Sequence, residues 1–330
     1  MIEEDGVKIK VETRKIVSKD MPVFYNKDMK LNRDLTIYFL KAIDFKGKIG
    51  LPLAGSGIRA LRIAKDFECD ILCNDKRNNF EKVMEDNQKL NDLKVQVYNE
   101  DANIFMLKNK PFEFIDIDPF GTPNPFLDSA IQSLKSKSYL AVTATDTGAL
   151  CGSYPSACLR KYWAKPLRNH EMHEIGLRIL IRKIQLVGSQ HDMALTPVYC
   201  ISHLHYMKVF FEVKKGRKIC DSLLKRHGLY KESGPMWLGN LFNKELALAI
   251  SDMSENKLLE LVKVESQVDR VGFYDVHQIA KKNKIKSIPK MEEILAKSNG
   301  TRTHFTPTGV KTNMKEKEFE ELIRRLSLHQ

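Results

Sequence analysis

Phe114-Ile115-Asp116-Ile117-Asp118-Pro119-Phe120-Gly121 opens as an apolar run and closes on an acid, a proline and an aromatic ring. A short run of this kind predicts a strand buried on both faces, and Pro119 marks where the chain leaves the sheet. At the carboxyl end of a parallel strand, a side-chain carboxylate, a free carbonyl and an aromatic face can converge on one planar amine. The same residues also suit an ordinary turn, so their neighbours decide between the two.

Upstream, Ile49-Gly50-Leu51-Pro52-Leu53-Ala54 runs into the loop Gly55-Ser56-Gly57 and a helical stretch over 58–67. Ile71-Leu72-Cys73-Asn74-Asp75 is a second strand ending in an acid, followed by a helix carrying Phe80, Val83 and Met84. Val95-Gln96-Val97-Tyr98 is a third strand, ending at Asn99-Glu100-Asp101-Ala102, and Tyr139-Leu140-Ala141-Val142-Thr143-Ala144-Thr145 follows the quoted run as the fifth. Strands separated by helix-length segments predict an α/β fold with a Rossmann-like, doubly wound parallel sheet. Before it, residues 7–12 alternate as a half-exposed strand, and Asn32 is placed to cap a helix through Ile37, Phe39 and Leu40.

The strand ends together describe a cofactor site. Gly55 and Gly57 lack the third glycine of a dinucleotide fingerprint, which favours a nucleoside cofactor. An acid about twenty residues beyond the turn, Asp75, can accept ribose hydroxyls, and Asp101-Ala102 ends the next strand where an adenine amine would lie. Arg33 and Arg59 suit the carboxylate of a methionine moiety, since a guanidinium fork matches its two oxygens. These features in order predict S-adenosylmethionine (SAM).

Length and charge bound the rest. At 330 residues the chain predicts two domains, a cofactor-binding one over 1–200 and a smaller α+β one over 201–330. The net charge is +12, and residues 201–330 carry 24 Lys/Arg against 16 Asp/Glu, which favours an anionic partner such as nucleic acid. Within that part, stretches over 274–284 and 287–297 predict a helix pair, winged-helix-like in outline, with Lys281-Lys282-Asn283-Lys284-Ile285-Lys286 at its turn. Six cysteines form no C-x-x-C pair, so no metal is expected, and the thiols read as small apolar residues of a reducing compartment. With no apolar run of membrane-spanning length and no apolar signal segment at the start, a cytoplasmic protein is expected. No obligate protein partner is inferred.

These residues resemble the tRNA guanosine-26 N2-dimethyltransferase family, a class I methyltransferase family. The likeness rests on Phe24-Tyr25-Asn26, Asn32-Arg33-Asp34, Ala54-Gly55-Ser56-Gly57-Ile58-Arg59, Asn74-Asp75, Asp118-Pro119-Phe120-Gly121-Thr122-Pro123, Thr145-Asp146-Thr147-Gly148-Ala149-Leu150-Cys151-Gly152, Gly234-Pro235-Met236-Trp237-Leu238-Gly239 and Arg302-Thr303-His304-Phe305-Thr306-Pro307-Thr308-Gly309. It implies cofactor contacts at Arg33, Arg59, Asp75, Asp101 and Ala102, a catalytic motif over 118–121 and a tRNA substrate. The chain departs from many relatives where they carry two cysteine pairs for zinc, since 214–229 offers only Cys220.

The chemistry expected is methylation of an exocyclic amine. Asp118 and the Pro119 carbonyl are the candidate acceptors for the amine hydrogens, and Phe120 and Phe24 the candidate faces for a flipped purine. Alternatives are a DNA adenine-amine methyltransferase, a noncatalytic RNA-binding protein on the same fold, and an enzyme that adds one methyl rather than two or also modifies a neighbouring guanosine.

Overall fold

The structure, a computed structural model, describes residues 1–10 and 25–328. Phe24 and the end of the strand expected over 7–12 lie outside the described residues. An antiparallel pair, β1 (Ile2–Glu4) and β2 (Val7–Ile9), precedes helix α1 (Lys30–Ala42). Strand and helix then alternate: β3 (Lys48–Leu51), α2 (Ile58–Asp66), β4 (Asp70–Asn74), α3 (Phe80–Asn91), β5 (Gln96–Tyr98), α4 (Ala102–Asn109), β6 (Phe112–Ile117), α5 (Asn124–Ser133) and β7 (Leu134–Ala144). Helices α6 (Thr147–Leu150), α7 (Pro155–Tyr162) and α8 (Met172–Ser189) follow, and then strands β8 (Met193–His203) and β9 (Tyr206–Lys215).

Seven strands make one sheet in the order β5-β4-β3-β6-β7-β9-β8, which is the Rossmann-like α/β sheet expected from the alternating pattern. The pairs from β5 through β7 are parallel, and β9 runs antiparallel to β7. The chain winds from β3 outward to β5, then returns to place β6 on the other side of β3. That reversal opens a crevice at the carboxyl ends of β3 and β6, where ligands bind in sheets of this kind.

Helix α1 packs its buried stripe on the β6-β7-β9 part of the sheet. Phe39 stacks on Phe210 at 4.4 Å between ring centroids and meets Phe114 at 6.1 Å. The stripe recurs at Asn32, Leu35, Thr36, Phe39 and Leu40, a helical spacing that includes two polar residues. Asn32 therefore sits inside the helix, fully buried, rather than at its start. Asn26 caps the entry instead, its side chain accepting from Asp28 N at 2.9 Å ahead of a short 3-10 turn, Lys27–Met29.

Two compact units divide the chain. The first holds 1–146, 183–197 and 204–225; the second holds 147–182, 198–203 and 226–330. The division at 200 expected from sequence cuts the chain once, whereas these units exchange it several times.

After α9 (Arg217–Leu224) come β10 (His227–Tyr230), β11 (Ser233–Trp237), α10 (Lys244–Ser251), α11 (Lys257–Glu265), β12 (Tyr274–Asp275), α12 (Val276–Lys282), α13 (Met291–Ser298), β13 (Thr301–Thr303), β14 (Thr306–Lys311) and α14 (Glu316–Ser327). The antiparallel pair β13 and β14 joins β12 in the order β12-β14-β13. Val276, Ile279, Ile294, Val310, Phe319 and Ile323 form a core beneath them. A separate buried network in this second unit joins Glu174 to Arg178 at 2.8 Å, Lys311 to Glu174 at 3.0 Å and to Glu265 at 3.1 Å, and Glu265 to His304 at 2.7 Å.

Candidate active site

Four strand ends of the first unit carry the expected residues. Gly55 and Gly57 follow β3 with φ of +62° and +76°, a left-handed backbone that glycine adopts without steric cost. A Cβ on Gly57 would fall 1.9 Å from Met84 Sδ, so a side chain there would have to displace the buried Met84 as well as strain the turn into α2. Asp75 follows β4 and is nearly buried; its Oδ2 accepts from Gly55 N at 2.9 Å and its Oδ1 from Arg77 N at 3.2 Å. Asn74 ties the adjoining loops together, donating to Pro52 O and Glu100 O while accepting from Glu100 N.

Asp101 follows β5 and caps α4, accepting from Asn103 N at 2.9 Å and Ile104 N at 3.3 Å, and Ala102 is buried beside it. The donor set fits an adenosyl group: a carboxylate at the second strand end, a second at the third, and a glycine turn open to close approach. SAM would be held there by Gly55, Gly57, Asp75, Asp101 and Ala102.

Asp118 stands one residue past β6. One carboxylate oxygen accepts from Arg59 Nη2, and the side chain keeps 17% of its surface exposed. Phe120 is half exposed, and Gly121 fixes the loop by donating to Thr145 Oγ1 at 2.6 Å and accepting from Thr145 N at 2.9 Å. The tetrad is thus held against the end of β7.

The two arginines are engaged within the protein. Arg33 donates to Glu4 and to Asn26 O, with Nε 3.0 Å from Glu4 Oε2. Arg59 directs Nη1 to Asp116 Oδ2 and Thr36 Oγ1, both at 2.6 Å, and Nη2 to Asn32 Oδ1 at 2.8 Å as well as to Asp118. Guanidiniums expected to face a carboxylate ligand here bind protein carboxylates.

Beneath Arg59 lies a group that sequence reasoning did not anticipate. Lys208 on β9 is fully buried, its Nζ 2.9 Å from both Asp116 oxygens and 3.0 Å from Asn32 Oδ1. Burial would raise the Asp116 carboxyl, but the flanking Arg59 and Lys208 cations outweigh it and hold Asp116 below its usual range. Lys208 shares that anion with Arg59, so burial prevails and pushes it down to about 8. Tyr206, two residues earlier, is raised by burial and then by the Asp118 charge. The available signal was a lysine set among Tyr206, Met207, Val209, Phe210 and Phe211.

Among the described residues no cluster of three or more His, Cys, Asp or Glu could hold a metal ion, and no helix is long and apolar enough to cross a membrane.

Comparison with known proteins places this geometry. The model of the N2,N2-dimethylguanosine tRNA methyltransferase family matches residues 6–233 and 227–324. The chain belongs to this family. A tRNA (guanine(26)-N(2)/guanine(27)-N(2))-dimethyltransferase of Aquifex aeolicus is 35% identical, with 99% of this chain and 95% of the relative covered. A tRNA (guanine(26)-N(2))-dimethyltransferase of Methanocaldococcus jannaschii is 36% identical, with 98% of each covered. The structure is similar to that of Trm1 from Pyrococcus horikoshii in complex with S-adenosyl-L-methionine, with a TM-score of 0.88, 32% identity, and 98% and 99% of the two chains covered.

Proposed function

We propose that the protein methylates the exocyclic N2 amine of guanosine 26 in tRNA, using SAM and giving N2-methylguanosine and then N2,N2-dimethylguanosine. The observation that carries this reading is Asp118-Pro119-Phe120 at the tip of β6, beside the β3 glycine turn, in a chain that matches the dimethyltransferase relatives over nearly its whole length.

When bound, SAM supplies an electrophilic methyl on a positively charged sulfur. Guanine's amine is a weak nucleophile because its lone pair is delocalised into the ring. Asp118 and the Pro119 carbonyl accept the amine hydrogens and draw the nitrogen toward tetrahedral geometry. Arg59 occupies one Asp118 oxygen and leaves the other for the amine. Asp118 then takes the proton that the methylated amine releases. Phe120 offers an exposed face for the flipped purine, contributing on the order of 1 to 3 kcal/mol, and Phe24 is assigned the opposite face. Dimethylation requires the monomethyl amine to turn its remaining hydrogen to the same acceptors.

Asp75 is assigned the ribose hydroxyls, and Asp101 with Ala102 the adenine. The basic segments at 214–218 and 281–286 contact tRNA phosphates, so affinity falls steeply with salt. The protein acts in the cytoplasm.

The test is to incubate the protein with SAM and an unmodified tRNA transcript and to analyse the nucleosides by mass. N2,N2-dimethylguanosine lost on replacing guanosine 26 supports the assignment, and replacing guanosine 27 reads out the neighbouring site. Methylation of duplex DNA instead of the transcript, or no SAM binding at all, would refute it.

A further inference from the structure

Helix α7 of the second unit presents an aromatic and basic face that the reaction described above does not use. Its inner side is Cys158 and Tyr162, both fully buried. Its outer side shows Leu159 and Arg160, and its two ends carry exposed rings, Tyr154 at 68% and Trp163 at 50% exposure. The chain's other tryptophan, Trp237, is buried.

Trp163 ends the helix with φ of +55°, a left-handed position that helix C-termini ordinarily give to glycine or asparagine. Among the described residues, the other non-glycine positions with positive φ are Asp, Asn, Lys and one Leu. A bulky ring is disfavoured there, and backbone held in such a conformation tends to mark a functional site. The segment that carries it is basic. Residues 147–170 contain Arg160, Lys161, Lys165 and Arg168 and no Asp or Glu. Lys165 lies 3.7 Å from Glu232, in a pair exposed on both sides.

Exposed rings set among cations match RNA, whose unpaired bases stack on aromatic side chains while basic groups take the phosphates. We infer that α7 binds unpaired nucleotides of the tRNA substrate, with Tyr154 and Trp163 as stacking platforms and Arg160 as a phosphate contact. This rests on the proposed tRNA substrate.

The test titrates the full-length protein with an unmodified tRNA transcript. Because Trp237 is buried, tRNA quenches tryptophan emission through Trp163. Trp163→Phe keeps affinity near the native value and abolishes the quench. Trp163→Ala weakens binding about tenfold, and Tyr154→Ala with Trp163→Ala weakens it further. Arg160→Glu weakens binding and lowers the salt slope by about one. SAM affinity, read by calorimetry, is unchanged in all four.

Native protein that methylates the transcript without any quench, or alanine variants that bind it with native affinity, overturns the α7 assignment alone. Concentration-dependent self-association lost in Trp163→Ala, without quenching by tRNA, makes α7 a protein contact and also overturns it. Native protein that methylates no transcript defeats the functional reading instead.

Discussion

Lys208 holds its Nζ 2.9 Å from both carboxylate oxygens of Asp116, with neither side chain exposed to solvent. The pair joins β9 to β6 beneath the Asp118 tetrad, and Arg59 links Asp116 onward to Asp118. Four charges therefore alternate in sign from the sheet interior to the candidate acceptor. In a low-dielectric setting such a line fixes geometry, because moving one member leaves its neighbours uncompensated.

Removing one member should destabilise the first unit. Lys208→Met leaves the Asp116 charge buried with a single cation and should cost about 3 to 5 kcal/mol. Lys208→Met combined with Asp116→Asn removes both charges and should recover much of that loss. Denaturant unfolding of the two variants measures the difference; equal losses would show that the charges do not act as a pair.

Asp118→Ala should lower single-turnover methylation about 10²- to 10⁴-fold while SAM binding persists. Arg59 separates two roles. If it chiefly orients Asp118, Arg59→Lys lowers the single-turnover rate at saturating SAM by roughly 10²-fold, with the SAM dissociation constant changed only a few-fold. If it chiefly binds the methionine carboxylate, the dissociation constant rises and saturating SAM restores the rate. The contacts to Asp116, Asp118, Asn32 and Thr36 favour the first outcome.

Asp75→Ala should act differently, weakening SAM binding more than it lowers the rate at saturation. The substitution also frees Gly55 N, which Asp75 holds at 2.9 Å, so the glycine turn loosens with it. Calorimetry showing an unchanged dissociation constant would remove Asp75 from the cofactor contacts.

The alternating core of the fold was legible because β3, β4, β6 and β7 each carry a mainly apolar stretch, followed by a glycine, acid or threonine that interrupts the pattern. The strand-end residues were legible for the same reason, since fold topology carries each of them to one edge of the sheet. The network below them was not. Asn32 reads as a helix cap locally, yet it lies mid-helix because Thr143, Arg59 and Lys208 supply its partners from distant segments. Arg33 pairs with Glu4 from the short β1 strand, and nothing local in the sequence signals that pairing. The return of 204–225 to the first unit was likewise hidden, because an apolar strand does not state which sheet it joins.

In the second unit, acid should unfold the chain through Glu265. Burial would raise its carboxyl, but the His304 and Lys311 charges and the hydrogen bonds from His304 outweigh that and hold it at about 2. A carboxyl depressed on folding contributes stability that is fully present above its unfolded value, 4.5, and is lost as pH falls through its folded value. The contribution, about 3 kcal/mol from the size of the shift, should therefore disappear between about pH 4.5 and pH 2. Glu265→Gln should be less stable than native at pH 7 and should show a flatter acid profile, measured as denaturation midpoints across that range. Parallel profiles would show that Glu265 does not supply the acid sensitivity.

A fragment ending at residue 200, the boundary expected from sequence, should fail to fold. It lacks β9, which pairs with β7 from Ser138 opposite Val213 to Ala144 opposite Met207. It also removes Phe210 from its stack on Phe39 and Lys208 from Asp116, so an aromatic contact, a strand ladder and a buried counter-charge vanish together. Each loss alone is worth a few kcal/mol, and together they are comparable to the about 5 to 15 kcal/mol by which a domain is stable. A fragment ending at residue 225 keeps every segment of the first unit and should retain measurable SAM binding. Circular dichroism melts and calorimetric SAM titrations of the two fragments decide the matter, and a cooperative melt with native SAM affinity in the shorter one would contradict the role given to β9.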